Sequence, residues 1–331
     1  MLTGCYVVSQ GAQFLTYQAR ARSVERAEER WPEYAPLFSE AAAIRAFGEE
    51  ALGLSGSRSY RKFVKLERDY LVTVVSAAKQ TSFERKTWKF PVVGEVPYKG
   101  FYRGTGARRL TKKLRSEGWE VYARKVDAFS SLGYFRDPLY SFMASYHPER
   151  LSNLVLHEMT HATIWIRDDA PLNEAIAGFI GDEAALKYLN VRYGPESEIY
   201  REGVLRQEER RRFVRFMREL ADRLETLYDS GVGKAEILRR REAIFRQEKR
   251  RFSREYAEWF SDDRYRFFLD VELNNAYVDL FRTYNEDADT VATLYASVDQ
   301  NLPELIALLK ELGESEEPRK RLRSMIVSGR E

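Results

Sequence analysis

The residues best equipped for chemistry in this chain stand in one short run, His157-Glu158-Met159-Thr160-His161. Residues i and i+4 of a helix share a face, with Cβ atoms about 5–6 Å apart. Both imidazoles can therefore present a nitrogen to a single metal ion, and zinc accepts such nitrogens at roughly 2.0–2.1 Å. Glu158 follows the first histidine by about 100° of helix rotation. That sets its carboxylate beside the ion, where it can take a proton from an activated water. The chain holds three histidines, and two are spent here. A polar helix face carrying two histidines by coincidence is the plain alternative, and the scarcity of histidine argues against it.

The flanking residues predict the helix that the spacing requires. In Tyr146-His147-Pro148-Glu149, proline suits a first helical position and glutamate suits the positive N-terminal end. Leu151, Leu154, Val155, Ile164 and Trp165 recur at helical spacing and would face a core. Pro171 disfavours helical geometry in the residue before it and closes the segment. A second helix is expected to start there, capped by Asn173, with Glu174 in its first turn. Ala177, Gly178 and Gly181 share the face of Glu174, so the two helices can approach closely enough for Glu174 to reach the metal. A catalytic zinc has three protein ligands and one open position, and Glu174 is the candidate for the third. The other reading of Glu174 is an ordinary first-turn acid favoured by the helix dipole. His147, the remaining histidine, lies ten residues upstream, too far along the axis to join the pair.

His157-Glu158-x-x-His161 followed by Asn173-Glu174-x-x-Ala177 resembles the gluzincin zinc metallopeptidases, in which a glutamate on the next helix is the third ligand. More closely, the chain is similar to a bacterial family known as "putative aminopeptidases" or predicted zinc-dependent lipoproteins. The stretches Phe90–Gly94, Tyr98–Tyr102, Val126–Phe135 and Leu273–Ala276 carry that likeness, which runs from near Cys5 to about residue 310. The resemblance implies an α+β, mainly helical fold. Its zincin-like core would hold a small mixed sheet and the metal helices, with one zinc ion held by His157, His161 and Glu174 and with Glu158 as general base. It also implies an edge strand at Ala128–Gly133 that pairs with the substrate backbone, a recognition mode in which main-chain hydrogen bonds accept any sequence. An oxyanion-stabilising tyrosine is expected near the C-terminus, where the family pattern favours Tyr284 over Tyr277. The family tends to carry a glutamate seven residues after the ligand glutamate. Here that position is Gly181, with Asp182 and Glu183 next to it but turned about 100–200° around the helix.

Composition bounds the rest. The chain has 331 residues, 44% hydrophobic and 32% charged, a globular balance. A net charge of +3 gives no argument for nucleic acid, and no apolar run is long enough to span a bilayer. The one cysteine, Cys5, ends Leu2-Thr3-Gly4-Cys5, which looks like a bacterial lipobox. The resemblance then implies a periplasmic or envelope location with a lipid anchor at Cys5 as the sole membrane attachment; a genuine start at Met1, without an export signal, would imply the cytoplasm. Leu71–Val75, Trp88–Tyr102 and Glu120–Phe129 carry strand signals, and Gln13–Arg26, Ala35–Leu52 and Thr105–Glu117 read as helices.

Between Glu196 and Glu258 stand 17 basic and 14 acidic residues, Arg210–Arg212 and Arg239–Arg241 among them. Apolar stripes (Phe213, Phe216, Leu220, Leu224, Leu227, then Ile237, Ile244, Phe245, Phe252) flank a turn at Ser230–Gly233. The pattern predicts an antiparallel helical hairpin with solvated outer faces. The expected order is thus an anchor remnant at 1–5, a helical region at 6–70, the catalytic core at 71–195, the hairpin insertion at 196–262, C-terminal helices at 263–312 and a polar, frayed tail at 313–331. The expected partner is a peptide or protein substrate. The rival expectation is a zinc-binding envelope scaffold without turnover, against which the intact Glu158 argues, since a structural zinc has no use for a base.

Overall fold

The structure is a computed structural model that describes residues 19–56, 59–90, 94–127, 137–282 and 286–328. It is mainly helical with small sheets. Cys5, the expected edge strand at 128–133 and Tyr284 lie outside the described residues. Among those described, no helix is long and apolar enough to cross a membrane. The chain forms two compact units, each drawn from separated stretches.

The first unit, from Asp69–Phe129 and Glu208–Thr283, is built on a three-stranded antiparallel sheet. Its central strand β3 (Val72–Ala78) pairs with β6 (Tyr98–Phe101) on one side and β7 (Glu120–Val126) on the other. A short hairpin of β4 (Trp88–Phe90) and β5 (Gly94–Val96) stands apart from it. The run Val72-Thr73-Val74-Val75 supplies the β-branched residues that a doubly covered strand favours. Alternation does the rest, because neighbouring residues of a strand point to opposite faces. Val75, Ala77 and Val121 pack with Phe101 against Ala107 and Leu114 of α3 (Gly104–Ser116). Tyr122, next to Val121, joins the other face.

That other face is covered by α6 (Glu198–Tyr228) and α7 (Lys234–Trp259), the expected hairpin. Phe213, Phe216, Met217, Leu220 and Leu224 of one helix meet Phe245, Phe252 and Tyr256 of the other. The stripes do more than bury each other. Phe260, Phe268, Leu273, Tyr277 and Val278 complete the same core, so the hairpin is a structural layer of this unit. Arg241, from the second arginine triplet, is buried and bonds Glu120 Oε1 at 2.7 Å and the Gln80 carbonyl at 2.6 Å. After Asn274 the chain makes only the short helix α9 (Asn275–Val278), following α8 (Phe267–Asp270).

The second unit comprises Tyr17–Arg68, Ser130–Gln207 and Tyr284–Glu331. Its sheet is minimal. Strand β2 (Lys62–Val64) pairs antiparallel with β1 (Arg22–Ser23) and parallel with β8 (Leu139–Tyr140). Phe63 sits fully buried at its centre, ringed by Trp31, Tyr34 and Phe38. Around it lie α1 (Val24–Arg30), α2 (Ala35–Glu50), α4 (Pro148–Thr163), α5 (Ala170–Tyr193), α10 (Glu286–Ser297), α11 (Leu302–Leu312) and α12 (Pro318–Ser328). Helix α12 replaces the frayed tail expected from charge alone. Leu322 is buried, and Arg319 bonds both Asp169 and Asp287 at 2.6–2.9 Å.

Candidate metal centre

Two helices of the second unit position the site. Helix α4 starts at Pro148, as its sequence predicts, with His147 as cap and its Nδ1 accepting from the Glu149 amide at 3.2 Å. It ends at Thr163, before Ile164 and Trp165. Helix α5 starts four residues earlier than expected, at Ala170. Its cap is Asp169, whose carboxylate accepts from the Leu172 amide at 3.2 Å, and Pro171 falls in the first turn, where a missing N–H costs nothing. Asn173 therefore does a different job. Its side chain accepts from the Ile166 amide at 2.8 Å and donates to the carbonyls of Ile166 and Asp169 at 2.7 and 2.9 Å. A buried amide thus ties the connecting loop to α5, and Glu174 follows from a fixed base.

Small residues set the distance between the helices. A methyl on Gly181 would stand 3.2 Å from the Asn153 carbonyl oxygen and 3.2 Å from His157 Cβ, so this glycine marks the close approach. Ala177 is fully buried. Gly178 faces open space and contributes nothing to the contact. On its other side α4 meets α2, where a methyl on Gly48 would fall 2.8 Å from the end of Met159.

The three expected ligand residues converge. His157 Nε2 and His161 Nε2 lie 3.1 Å apart. Glu174 Oε1 is 3.3 Å from His161 Nε2, and its Oε2 is 3.7 Å from His157 Nε2. Bonds of about 2.05 Å at tetrahedral angles put ligand atoms about 3.4 Å apart, so these three separations bracket what one zinc ion needs. Two nitrogens and a carboxylate oxygen also form a donor set that suits zinc. No fourth His, Cys, Asp or Glu joins the group among the described residues. The Ala177 backbone lies near enough to the His157 ring to favour its protonated form against burial. His161 Nδ1 is buried and finds no partner among the described residues.

Electrostatics treat the two imidazoles differently. Burial, reinforced by His161, pushes His157 down to about 4, so it is neutral with a lone pair to offer. Burial also opposes charge on His161, but the hydrogen bond and charge of Glu174 overcome it and raise its pKa. Burial works against ionisation of Glu174 too, and His161 outweighs it, leaving the carboxyl below its usual range.

Glu158 sits beside this group without bonding to it. Burial raises its pKa, with the charge of Glu174 adding to the effect and that of His161 opposing it. Its neighbours on the other side were not foreseen from sequence. Burial, followed by the Glu158 charge, pushes Asp137 up to about 7. Burial and then Glu158 and Asp137 hold the Tyr60 hydroxyl well above the usual phenol range. Asp137 offered no spacing signal, and Tyr60 is one of 20 tyrosines.

The remaining expected residues lie elsewhere. Tyr277 belongs to the sheet unit's core, ring against Tyr122 at 4.8 Å. Leu273–Ala276 serves that unit as well. Asn274 caps α9, and Asn275 links the Glu120 carboxylate, the Lys79 and Ser82 carbonyls and the Tyr228 hydroxyl. Asp182 Oδ1 accepts from Asn153 Nδ2 at 2.5 Å, one helical turn before His157, and so ties α5 to α4. His147 Nε2 lies 3.2 Å from Glu202 Oε2, outside the ligand group.

Comparison with curated proteins and with solved structures gives no match. A family model does match, over residues 8–325, which is nearly the whole chain. With the two-histidine, one-glutamate cluster in view, that match places the chain in the family described as "Putative aminopeptidase".

Proposed function

We propose that the chain is a zinc-dependent peptidase of the gluzincin kind, with a zincin-like core around α4 and α5. The observation that carries this reading is the convergence of His157, His161 and Glu174 at 3.1–3.7 Å with Glu158 alongside. A divalent cation held by these three residues would polarise a scissile carbonyl and acidify a water. Glu158 is placed to take the proton of the attacking water and to return it to the leaving amine. Burial raises its pKa, which favours holding the proton before it is returned. Its carboxylate accepts no hydrogen bond from a described residue, so both oxygens are available. His157, kept neutral by burial, contributes a donor, and Asn173 holds the loop that delivers Glu174.

The test is Glu158→Gln in zinc-loaded protein. Zinc content by elemental analysis should stay near that of wild type while peptide hydrolysis falls by roughly 1000-fold. Undiminished turnover in that variant would remove Glu158 from the mechanism. The lipobox-like Leu2–Cys5 supports an envelope location with lipid on Cys5, checked by metabolic labelling with a fatty-acid probe in wild type and Cys5→Ala.

A further inference from the structure

We propose that the exposed face of α3 is a docking surface for the anionic headgroups of a phospholipid bilayer, engaged through Arg103, Arg108, Arg109 and Lys112. The inference is independent of the metal centre, and it gives the sheet unit a membrane contact that needs no acyl chain at Cys5.

Charge along this segment departs from the balance of the whole. The chain carries 54 basic and 51 acidic residues, yet from 97 to 116 it has seven lysines and arginines and no acid. The remainder therefore holds more acids than bases. Helical spacing gathers these cations on one side. Ala107 and Leu114 face the sheet with Leu110 beside them, while Arg108, Arg109, Lys112, Lys113 and Arg115 are all exposed. The other exposed positions of the helix, Thr105 and Ser116, are uncharged.

Two of these cations have ordinary explanations. Lys113 and Arg115 lie 3.7 Å from Glu117 and Glu272, and they stand in the last turn, where the helix dipole favours positive charge. Arg103, Arg108, Arg109 and Lys112 form no ion pair with a described residue. Arg103 occupies the N-cap position without a capping bond, and the first turn contains no acid. A methyl on Gly104 would stand 3.3 Å from Arg108 Nη1, so that guanidinium lies over the same positive end. The dipole opposes both. Arg108 repels Lys112 at i+4, and Arg109 repels Lys113 in the same way. A merely solvated face gains from interleaved acids, as in α7, where Arg239 and Arg240 share Glu236. Helix α3 keeps its unrelieved charge at a cost in stability, which is the mark of a surface kept for binding.

The positive field continues past the helix. Burial, then the charges of Lys113 and Lys86, push Lys99 of β6 below the usual lysine range. Its ammonium lies 5.7 Å from the Trp88 ring, and those of Lys79 and Lys86 lie 4.4 and 5.5 Å from the Trp119 ring. Both indoles pack, half-buried, against the cluster that holds Ala107 and Leu114. A bilayer suits this combination, because tryptophan prefers the headgroup layer and anionic lipid attracts the cations. Nucleic acid suits it less, since rings with ammonium groups over them present lysine to a base where stacking needs an open face.

The test is co-sedimentation of the full chain carrying Cys5→Ala, which excludes any acyl group, with vesicles of phosphatidylcholine alone or with about one-third phosphatidylglycerol. Binding should require the anionic lipid and vanish at about 0.5 M salt, where screening shortens the reach of charge. Each cation near an anionic surface multiplies partition by about five, so Arg108→Gln, Arg109→Gln and Lys112→Gln together should weaken binding at least about 100-fold. Thr105→Glu places an acid in the first turn, which should raise the melting temperature while weakening binding about five-fold. That pairing of a firmer helix with poorer binding separates docking from a structural role. Arg239→Gln with Arg240→Gln removes cations that already share Glu236, and binding should stay within about two-fold of the parent. Undiminished binding by the triple variant or by Thr105→Glu overturns the proposal. So does failure to bind the anionic vesicles, and a protein that bound a DNA duplex in their place would reassign the face to nucleic acid.

Discussion

The two units treat buried charge in opposite ways. In the sheet unit every buried acid meets a guanidinium. Glu120 pairs with Arg241 at 2.7 Å, Asp279 with Arg85 at 2.5 Å, Glu209 with Arg264 at 3.0 Å, and Glu248 with Arg223 and Arg251. In the unit of the candidate metal centre Asp137 feels the charge of Glu158, Glu158 that of Glu174 and His161, and none of the three acids has a salt bridge to lysine or arginine among the described residues. Elsewhere in that unit pairing resumes, as in Asp169 with Arg319 at 2.6 Å. Among the described residues, Asp137, Glu158 and Glu174 thus form a group of acids without a lysine or arginine partner. Paired ions fix a fold, whereas a pocket of unpaired acids is destabilising until something positive enters it.

Emptying the metal pocket of its acid should have the largest effect. Glu174→Ala removes the donor delivered by α5, so bound zinc should fall from about one per chain to near none, and hydrolysis by roughly 1000-fold or more. Far-UV circular dichroism should be unchanged, because the residue faces the pocket and supports no core. A variant that kept its zinc would show that the cluster is not the metal site. The matching break in the sheet unit is Glu120→Ala, which strands Arg241 under the hairpin. Loss of about 3 kcal/mol in urea unfolding is expected, with zinc content unaltered. A neutral result would mean that Gln80 and Glu242 suffice to hold the guanidinium.

Legibility from sequence divides along the same line. The i, i+4 histidines and the glutamate of the next helix were readable because a helix converts spacing into geometry with few free parameters. The strands of the sheet unit were readable from β-branched runs. What escaped depended on contacts between distant segments. Asn173 looks like a cap in sequence, but Asp169, two residues before the proline, captures the helix start with Pro171 in the first turn, leaving the amide to tie the loop. The hairpin's stripes gave its helices, while Phe268 and Leu273, which complete its core, lie beyond both helices. Tyr60 and Asp137 lie 77 residues apart by their numbers and meet only because β2 and β8 run side by side.

Asp137 sharpens the comparison through pH. Its folded pKa is raised from 3.8 to about 7, so the unfolded chain releases this proton first. Stability from this group is full below about pH 4, declines as pH rises toward 7, and stays reduced above that. Asparagine resembles the protonated acid and cannot ionise. In zinc-free protein Asp137→Asn should match wild type at pH 4 and exceed it by roughly 4 kcal/mol at pH 8 in urea unfolding. Equal stability at both pH values would show that the carboxylate is compensated after all.

The smallest effect tests how finely the helix spacing is set. Gly181→Ala gains up to about 1 kcal/mol of helix propensity, against a new methyl 3.2 Å from the Asn153 oxygen and from His157 Cβ. Relief requires α4 and α5 to part by a few tenths of an ångström, which offsets much of that gain, so the melting temperature should change little. The imidazole cannot ignore the same movement, because His157 is one of the atoms displaced. Zinc affinity, measured by competition with a chelator, should weaken by about 10-fold, the scale seen when groups that orient metal ligands are disturbed. Unchanged affinity with unchanged stability would mean that the pocket re-centres freely, and Gly181 would then be a packing residue with no bearing on the metal.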